Sequence, residues 1–213
     1  MARRTKEEAQ ATREKLLDAA ARMFCARGVT ATSLDDIARE AGMTRGAIYW
    51  HFRNKQDLIE ALMERKRMPL DETWGHCQLA GESDPLGRIR RNAIEQLHRA
   101  ATEPGVRQVY EILFHKSESV EDGGTIMERC LASRHECVPH IEAAFRAAIE
   151  RGQLPAGDVP TMIAGFFSYL DGLIYNSFLH PEVIRLDELA EHYVDIYIEG
   201  LKRLPVKAAT AAD

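Results

Sequence analysis

The sequence predicts an all-α fold of about nine helices, with an N-terminal three-helix head followed by a larger helical body. Three observations carry that prediction. Apolar residues recur three and four positions apart along almost the whole chain, with no sustained strict alternation. Capping residues and helix breakers fall between those periodic stretches. The 213 residues are 45% hydrophobic with 14 Gly and 8 Pro, an ordinary globular composition in a chain long enough for a small domain joined to a larger one.

The first helix is expected from about Lys6 to Ala26, with Leu16, Ala20, Met23 and Phe24 on one face and Gly28 at a left-handed C-terminal cap. Ser33-Leu34-Asp35-Asp36 has the form of a capping box and opens a short helix whose buried stripe is Leu34, Ile37 and Ala38. That helix ends at Ala41-Gly42-Met43, where Gly42 permits a positive φ. Thr44 then caps a third helix carrying Arg45-Gly46-Ala47-Ile48-Tyr49-Trp50-His51-Phe52. Two short helices joined by a glycine turn make a helix-turn-helix. Asn54, three residues before Asp57, caps a fourth helix through Leu58, Ile59, Leu62 and Met63, which links head to body and which Pro69 is expected to kink or interrupt.

In the body, Asp84-Pro85 opens a helix to about Ala101, and Glu103-Pro104 opens another through Tyr110 and Phe114; each proline fits a first helical turn, where its missing N–H costs nothing. A loop around Gly123-Gly124 is expected before a long helix that closes at Gly152 and is bent by Pro139, which frees a carbonyl near His135. Two helices remain, roughly Val159 to Leu179 and roughly Asp187 to Leu204, and Ala208 to Asp213 reads as a frayed tail.

Net charge is −5 overall, but it is unevenly spread. Residues 1–67 hold 14 Lys and Arg against 10 Asp and Glu, whereas the remainder holds 14 against 23. A basic head on an acidic body is the asymmetry expected when only the head meets phosphates. No run approaches the ~18 apolar residues of a membrane span, and the start, Met1 to Lys6, lacks the apolar stretch of a signal peptide, so a cytoplasmic protein without a membrane partner is expected. Cys25, Cys77, Cys130 and Cys137 lie far apart without a CxxC pair, which indicates neither a disulfide framework nor a zinc site.

On the third helix Ile48 and Phe52 face inward, and Arg45 and Tyr49, four apart, share another face. Arg45 suits guanine O6 and N7 or a phosphate, Tyr49 and His51 can donate to phosphate, and Gly46 lets the backbone approach a groove. Ser33 and Thr44 present hydroxyls and free N–H groups at helix starts. Trp50 has two readings, a DNA contact or an apolar plug under the neighbouring helices. Arg3, Arg4 and Lys6 form either an arm on the DNA or a mobile basic terminus.

Thr32-Ser33-Leu34-x-x-Ile37-Ala38, Ala41-Gly42, Thr44 to Phe52, Asn54-Lys55 and Leu58 resemble the amino-terminal signature of TetR-family regulators. Arg3 to Gln10 with Thr12-Arg13 is similar to the AcrR and TtgR branch, repressors of multidrug efflux operons. The resemblance covers about residues 3–62. It implies that Thr44, Arg45, Gly46, Tyr49, His51 and Lys55 contact DNA, with residues 1–55 as DNA-binding domain and 56–213 as ligand-binding and dimerisation domain. A single short recognition helix reads few base pairs, so a homodimer is expected on a palindromic double-stranded operator with half-sites ~34–36 Å apart or a multiple of that.

The helix after Val159 is apolar nearly all round (Met162, Ile163, Phe166, Phe167, Leu170, Leu173, Ile174, Phe178), as a helix covered on both sides must be. With Leu189, Tyr193, Ile196, Tyr197 and Leu201 of the last helix it would form a dimer seam; a monomeric core helix is the competing reading. Asp171 within it must be paired, hydrogen-bonded or raised in pKa, either as a structural cap or as the polar anchor of an apolar pocket for a small-molecule effector. Tyr110 to Lys116 and Phe167 to Leu173 resemble the pocket-lining segments of TtgR-like repressors, which nominates Tyr110, Phe114, Phe167 and Asp171 as ligand-binding; Cys137 and Ile141 of the long helix are candidates beside them. Tyr110 and Phe114 stand where such pockets carry polar side chains, so a greasier, narrower pocket is expected.

His135, Cys137 and His140 do not share one helical face, so no metal site is expected. No cofactor is indicated. No phosphate loop, nucleophile elbow or catalytic spacing supports an enzyme. A regulator whose body answers to a protein partner instead of a small molecule remains the alternative.

Overall fold

The structure is a computed structural model that describes residues 6–65, 82–116 and 120–204, with the backbone alone for 115, 116 and 120–133. Arg3, Arg4, Pro69, Cys77 and Ala208 to Asp213 lie outside the described residues. Among the described residues there are nine α-helices, one π-helical turn and no strand. The helices are α1 (Lys6–Arg27), α2 (Leu34–Glu40), α3 (Arg45–His51), α4 (Lys55–Arg65), α5 (Pro85–Thr102), α6 (Pro104–Glu111), α7 (Val120–Glu150), α8 (Val159–Leu179) and α9 (Leu186–Lys202), with the π turn at Ile112–Lys116.

Helix boundaries follow local chemistry. Ser33 and Asp36 close a reciprocal capping box, Asp36 N–H donating to Ser33 Oγ at 3.1 Å and Ser33 N–H to Asp36 Oδ2 at 3.3 Å. Thr44 accepts from Ala47 N–H, Asn54 from Asp57 N–H, Asp84 from Gly87 N–H and Asp158 from Thr161 N–H. Gly28 and Gly42 take φ of 83° and 68°, a region that L side chains avoid, and so turn the chain where the sequence requires it.

Two compact units form. One holds α1 to α4 together with α6, the π turn and the start of α7. Leu16, Leu17 and Phe24 of α1 are buried with Ile37 of α2, Ile48 and Phe52 at α3, and Leu58 of α4. Each such side chain contributes about 1.5–3 kcal/mol on burial, which is how helices as short as α2 and α3 hold their form. Arg65 ties α4 to α1, its Nη1 reaching Asp18 Oδ1 at 2.7 Å and Glu14 Oε2 at 3.3 Å.

The other unit holds α5, the rest of α7, α8 and α9. Ile89 and Leu97 of α5 are buried with Phe145 of α7, Phe166 and Leu170 of α8, and Val194 and Ile198 of α9. Arg90 of α5 grips Asp195 of α9 with two bonds, Nε to Oδ1 at 2.5 Å and Nη2 to Oδ2 at 2.9 Å. No described helix is long and apolar enough to cross a membrane.

Three expectations are corrected. The loop expected at Gly123-Gly124 is instead part of α7, which begins at Val120. Two glycines cost about 1 kcal/mol each relative to alanine, a penalty that a 31-residue helix absorbs. The helix expected to run through Phe114 ends as α-helix at Glu111 and widens into the π turn, a form common at functional sites. The expected dimer seam on the last helix is divided. Leu201 is buried in its own body, and Tyr197 Oη donates to Met162 O at 2.8 Å, whereas Ile196 is 53% exposed.

Candidate DNA interface and effector site

The head presents α3 with its apolar side in and its polar side out. Ile48 and Phe52 are buried, while Thr44, Arg45, Gly46 and Tyr49 are exposed. Nothing lies within 4 Å of the position a Cβ would take on Gly46, so the helix surface there is open. Arg45 is held on both sides, its Nε 3.3 Å from Asp35 Oδ1 of α2 and its guanidinium 5.5 Å from the Tyr49 ring centroid.

Trp50 corrects the reading in which it plugs the interior. It is 72% exposed and meets His51 edge to face, with 4.5 Å between ring centroids. Ile48 and Phe52 already occupy the inward positions, and one residue's rotation of about 100° carries the indole to the surface. His51 is half-buried between Trp50 and Phe52.

Lys55 and Ser33 are engaged inside the head. The Lys55 ammonium donates to Val29 O at 3.0 Å and Thr32 O at 3.4 Å, satisfying carbonyls just before α2. Ser33 Oγ donates to Asp36 Oδ2 at 2.6 Å, which with the Ser33 N–H holds that carboxyl below the usual range.

The nominated effector residues fall into two groups. Tyr110 and Phe114 stack in the first unit, with centroids 5.8 Å apart and planes at 19°. Tyr110 is buried and Phe114 half-buried. In the second unit Cys137, Ile141 and Phe167 are buried and Asp171 is half-buried.

Asp171 is paired, as a carboxylate in so apolar a helix requires. Arg134 Nη2 donates to its Oδ2 at 2.5 Å, and the same guanidinium lies over the Phe167 ring, 4.6 Å from the centroid. Burial nevertheless pushes the Asp171 carboxyl up, by more than Arg134 draws it down. Sequence reasoning missed Arg134 because the pair spans 37 positions and has no local signature.

A groove of 340 Å³ opens elsewhere, lined by Asp84, Leu86, Gly87, Arg90, Gln153, Ile198 and Lys202. Its cations are committed to Asp195 and Glu199, and Gln153 bridges Asp84 and the Leu86 N–H, so it serves as a cross-tie between helices.

Comparison with known proteins shows the chain's relatives. Residues 16–62 match the profile described as bacterial regulatory proteins, tetR family, and residues 84–203 match the MAATS-type transcriptional repressor, C-terminal region. The HTH-type transcriptional regulator TtgR of Pseudomonas putida is 40% identical over 210 residues, covering 96% of this chain and 98% of TtgR. Among solved structures, NalD, the secondary repressor of the MexAB-OprM multidrug efflux pump in Pseudomonas aeruginosa, matches with a TM-score of 0.82 and 30% identity over 93% of this chain and 99% of its own. The SmeT–triclosan complex matches at 0.78 and 27%, over 95% and 98%.

Proposed function

The chain belongs to the TetR family of bacterial transcriptional regulators, and on that footing we propose that it is a cytoplasmic repressor that holds a palindromic operator as a homodimer and leaves it when a small apolar or aromatic compound enters its body. The observation that carries the reading is the solvent-facing side of α3, where Arg45, Gly46, Tyr49 and Trp50 stand exposed on a helix anchored from behind by Ile48 and Phe52. Residues 1–55 act as the DNA-binding domain, with Thr44, Arg45, Gly46, Tyr49 and His51 meeting bases and phosphates, and Ser33 and Lys55 set at the edge of that surface. Residues 56–213 act as the ligand-binding and dimerisation domain.

Exposed Tyr175 and Leu179 of α8 and Ile196 of α9 supply apolar surface for a second copy. The residues assigned to the effector are Cys137, Ile141, Phe167 and Asp171 in the second unit and, as a separate group, Tyr110 and Phe114 in the first. That NalD represses a multidrug efflux pump and that SmeT was captured with triclosan supports an efflux operon as the target and an apolar aromatic effector here. The effector acts by differential affinity: it binds the conformation whose two recognition helices no longer match successive major grooves, and a compound with equal affinity for both states would shift nothing.

The test is a genome-wide footprint of the purified protein followed by gel-shift titration. A palindrome beside a transporter operon is the expected result. The Arg45→Ala, Tyr49→Ala double variant should lose about 1–3 kcal/mol per base contact. Full operator affinity in that variant would remove α3 from the interface.

A further inference from the structure

Arg134 holds two residues of α8 at once, and it has donors left over. Its Nη2 is bonded to Asp171 Oδ2 at 2.5 Å and its plane covers the Phe167 ring at 4.6 Å, while its Nε–H is buried with no acceptor among the described residues. A guanidinium carries five N–H donors in a rigid fork, and a buried donor left unmade is costly. The carboxylate it meets is desolvated enough to have its pKa raised, yet 25% of the Asp171 side chain and 31% of the Arg134 side chain remain accessible. Cys137 and Ile141, one and two turns further along α7, are buried apolar neighbours of that position.

We infer that the effector is an acid: a flat aromatic compound bearing a carboxylate, phenolate or comparable anionic oxygen, which the Arg134 guanidinium receives while the neighbouring Cys137 and Ile141 cover the ring. This rests on the body being the effector site, as proposed above, and narrows the ligand class. A planar anionic group matches the guanidinium fork and supplies the acceptor that Nε–H lacks. A cationic amphiphile is disfavoured, because the two features it would use, the Asp171 carboxylate and the Phe167 face, are already occupied by Arg134. Asp171 then acts as the competitor that the incoming anion displaces.

The experiment uses three probes of one shape on the full-length protein: 2-naphthoate, 2-naphthamide and 2-naphthylmethylammonium, measured by calorimetry and by release of operator DNA. The naphthoate is expected to bind about tenfold or more tighter than the amide, and the ammonium weakest. In Arg134→Met the carboxylate advantage collapses to about unity, in Arg134→Lys part of it returns, and in Asp171→Asn the naphthoate binds tighter still. The ratio is internal to each variant, so a general loss of stability does not produce the pattern, and circular dichroism confirms that each variant is folded. An amide or ammonium that binds as well as the naphthoate, while still releasing the operator, overturns the acid inference and leaves the effector-site reading standing. An advantage that survives Arg134→Met overturns it too. Failure of all three probes to bind counts against both.

Discussion

Arg45 at the start of α3 lies 3.3 Å from Asp35 on α2, Nε to Oδ1, so the two helices of the helix-turn-helix are linked through a side chain that the proposed function assigns to base reading. The contact is a surface ion pair, with 72% of the Arg45 side chain exposed. Arg45→Ala should weaken operator binding by about 1–3 kcal/mol and relax specificity at one base position. Asp35→Asn should keep most of the affinity while lowering discrimination against single-base operator variants in competition gel shifts. Equal losses on cognate and variant DNA would show that Asp35 does not orient the reading group.

Trp50 and Lys55 separate surface from scaffold within one motif. Trp50 is 72% exposed, so Trp50→Ala should leave thermal stability within about 0.5 kcal/mol and reduce operator affinity about fivefold or more. Lys55 sits on the Val29 and Thr32 carbonyls, so Lys55→Met should cost about 1.5 kcal/mol of stability, or about 3–6 °C in Tm. Scanning calorimetry beside DNA titration distinguishes the two; the reverse pattern would overturn both assignments.

Ile196 is the test of pairing. It is 53% exposed on a helix whose Ala190, Val194, Ile198 and Leu201 are already buried at home. Ile196→Glu should convert a dimer into a monomer by light scattering, with helical content retained, and operator affinity should fall with it because half-sites are then bound singly. A dimer that survives the charge would move the seam elsewhere.

Acid should loosen the body at the Arg90–Asp195 tie. The hydrogen bonds from Arg90, and then its charge, hold the Asp195 carboxyl below its ordinary value of 3.8. The carboxyl is therefore lower in the folded than in the unfolded chain, so the stabilisation is complete above the unfolded value and lost as pH falls through the folded one. The pair is roughly half exposed, which limits the effect to about 1 kcal/mol or less. Asp195→Asn should flatten the decline of Tm between about pH 5 and pH 2 by that amount. An unchanged acid limb would show that the tie contributes nothing to pH-dependent stability.

Much of the fold was legible because it is locally encoded. Ser33, Thr44, Asn54 and Asp84 hold their own next turns, Gly28 and Gly42 supply the positive φ, and the three- and four-residue apolar spacing marks which side of each helix turns inward. Each of these devices acts over three or four residues, within the range that a sequence pattern can report. The exception, Gly123-Gly124, shows the limit: a local preference for a turn was outweighed by the continuous hydrogen-bond ladder of α7.

The candidate sites divide along the same line. Helical spacing alone puts Arg45 and Tyr49 on one face of α3 with Ile48 and Phe52 behind, and the apolar neighbours of Asp171 along the chain already demand a partner for it. How the helices pack settles the rest: Trp50 faces solvent, the Lys55 ammonium turns back onto Val29 and Thr32, and the partner of Asp171 is Arg134. A charge in a long side chain goes to the nearest acceptor in space. For Lys55 and Arg134 that acceptor is 26 and 37 residues away along the chain, where no spacing rule reaches.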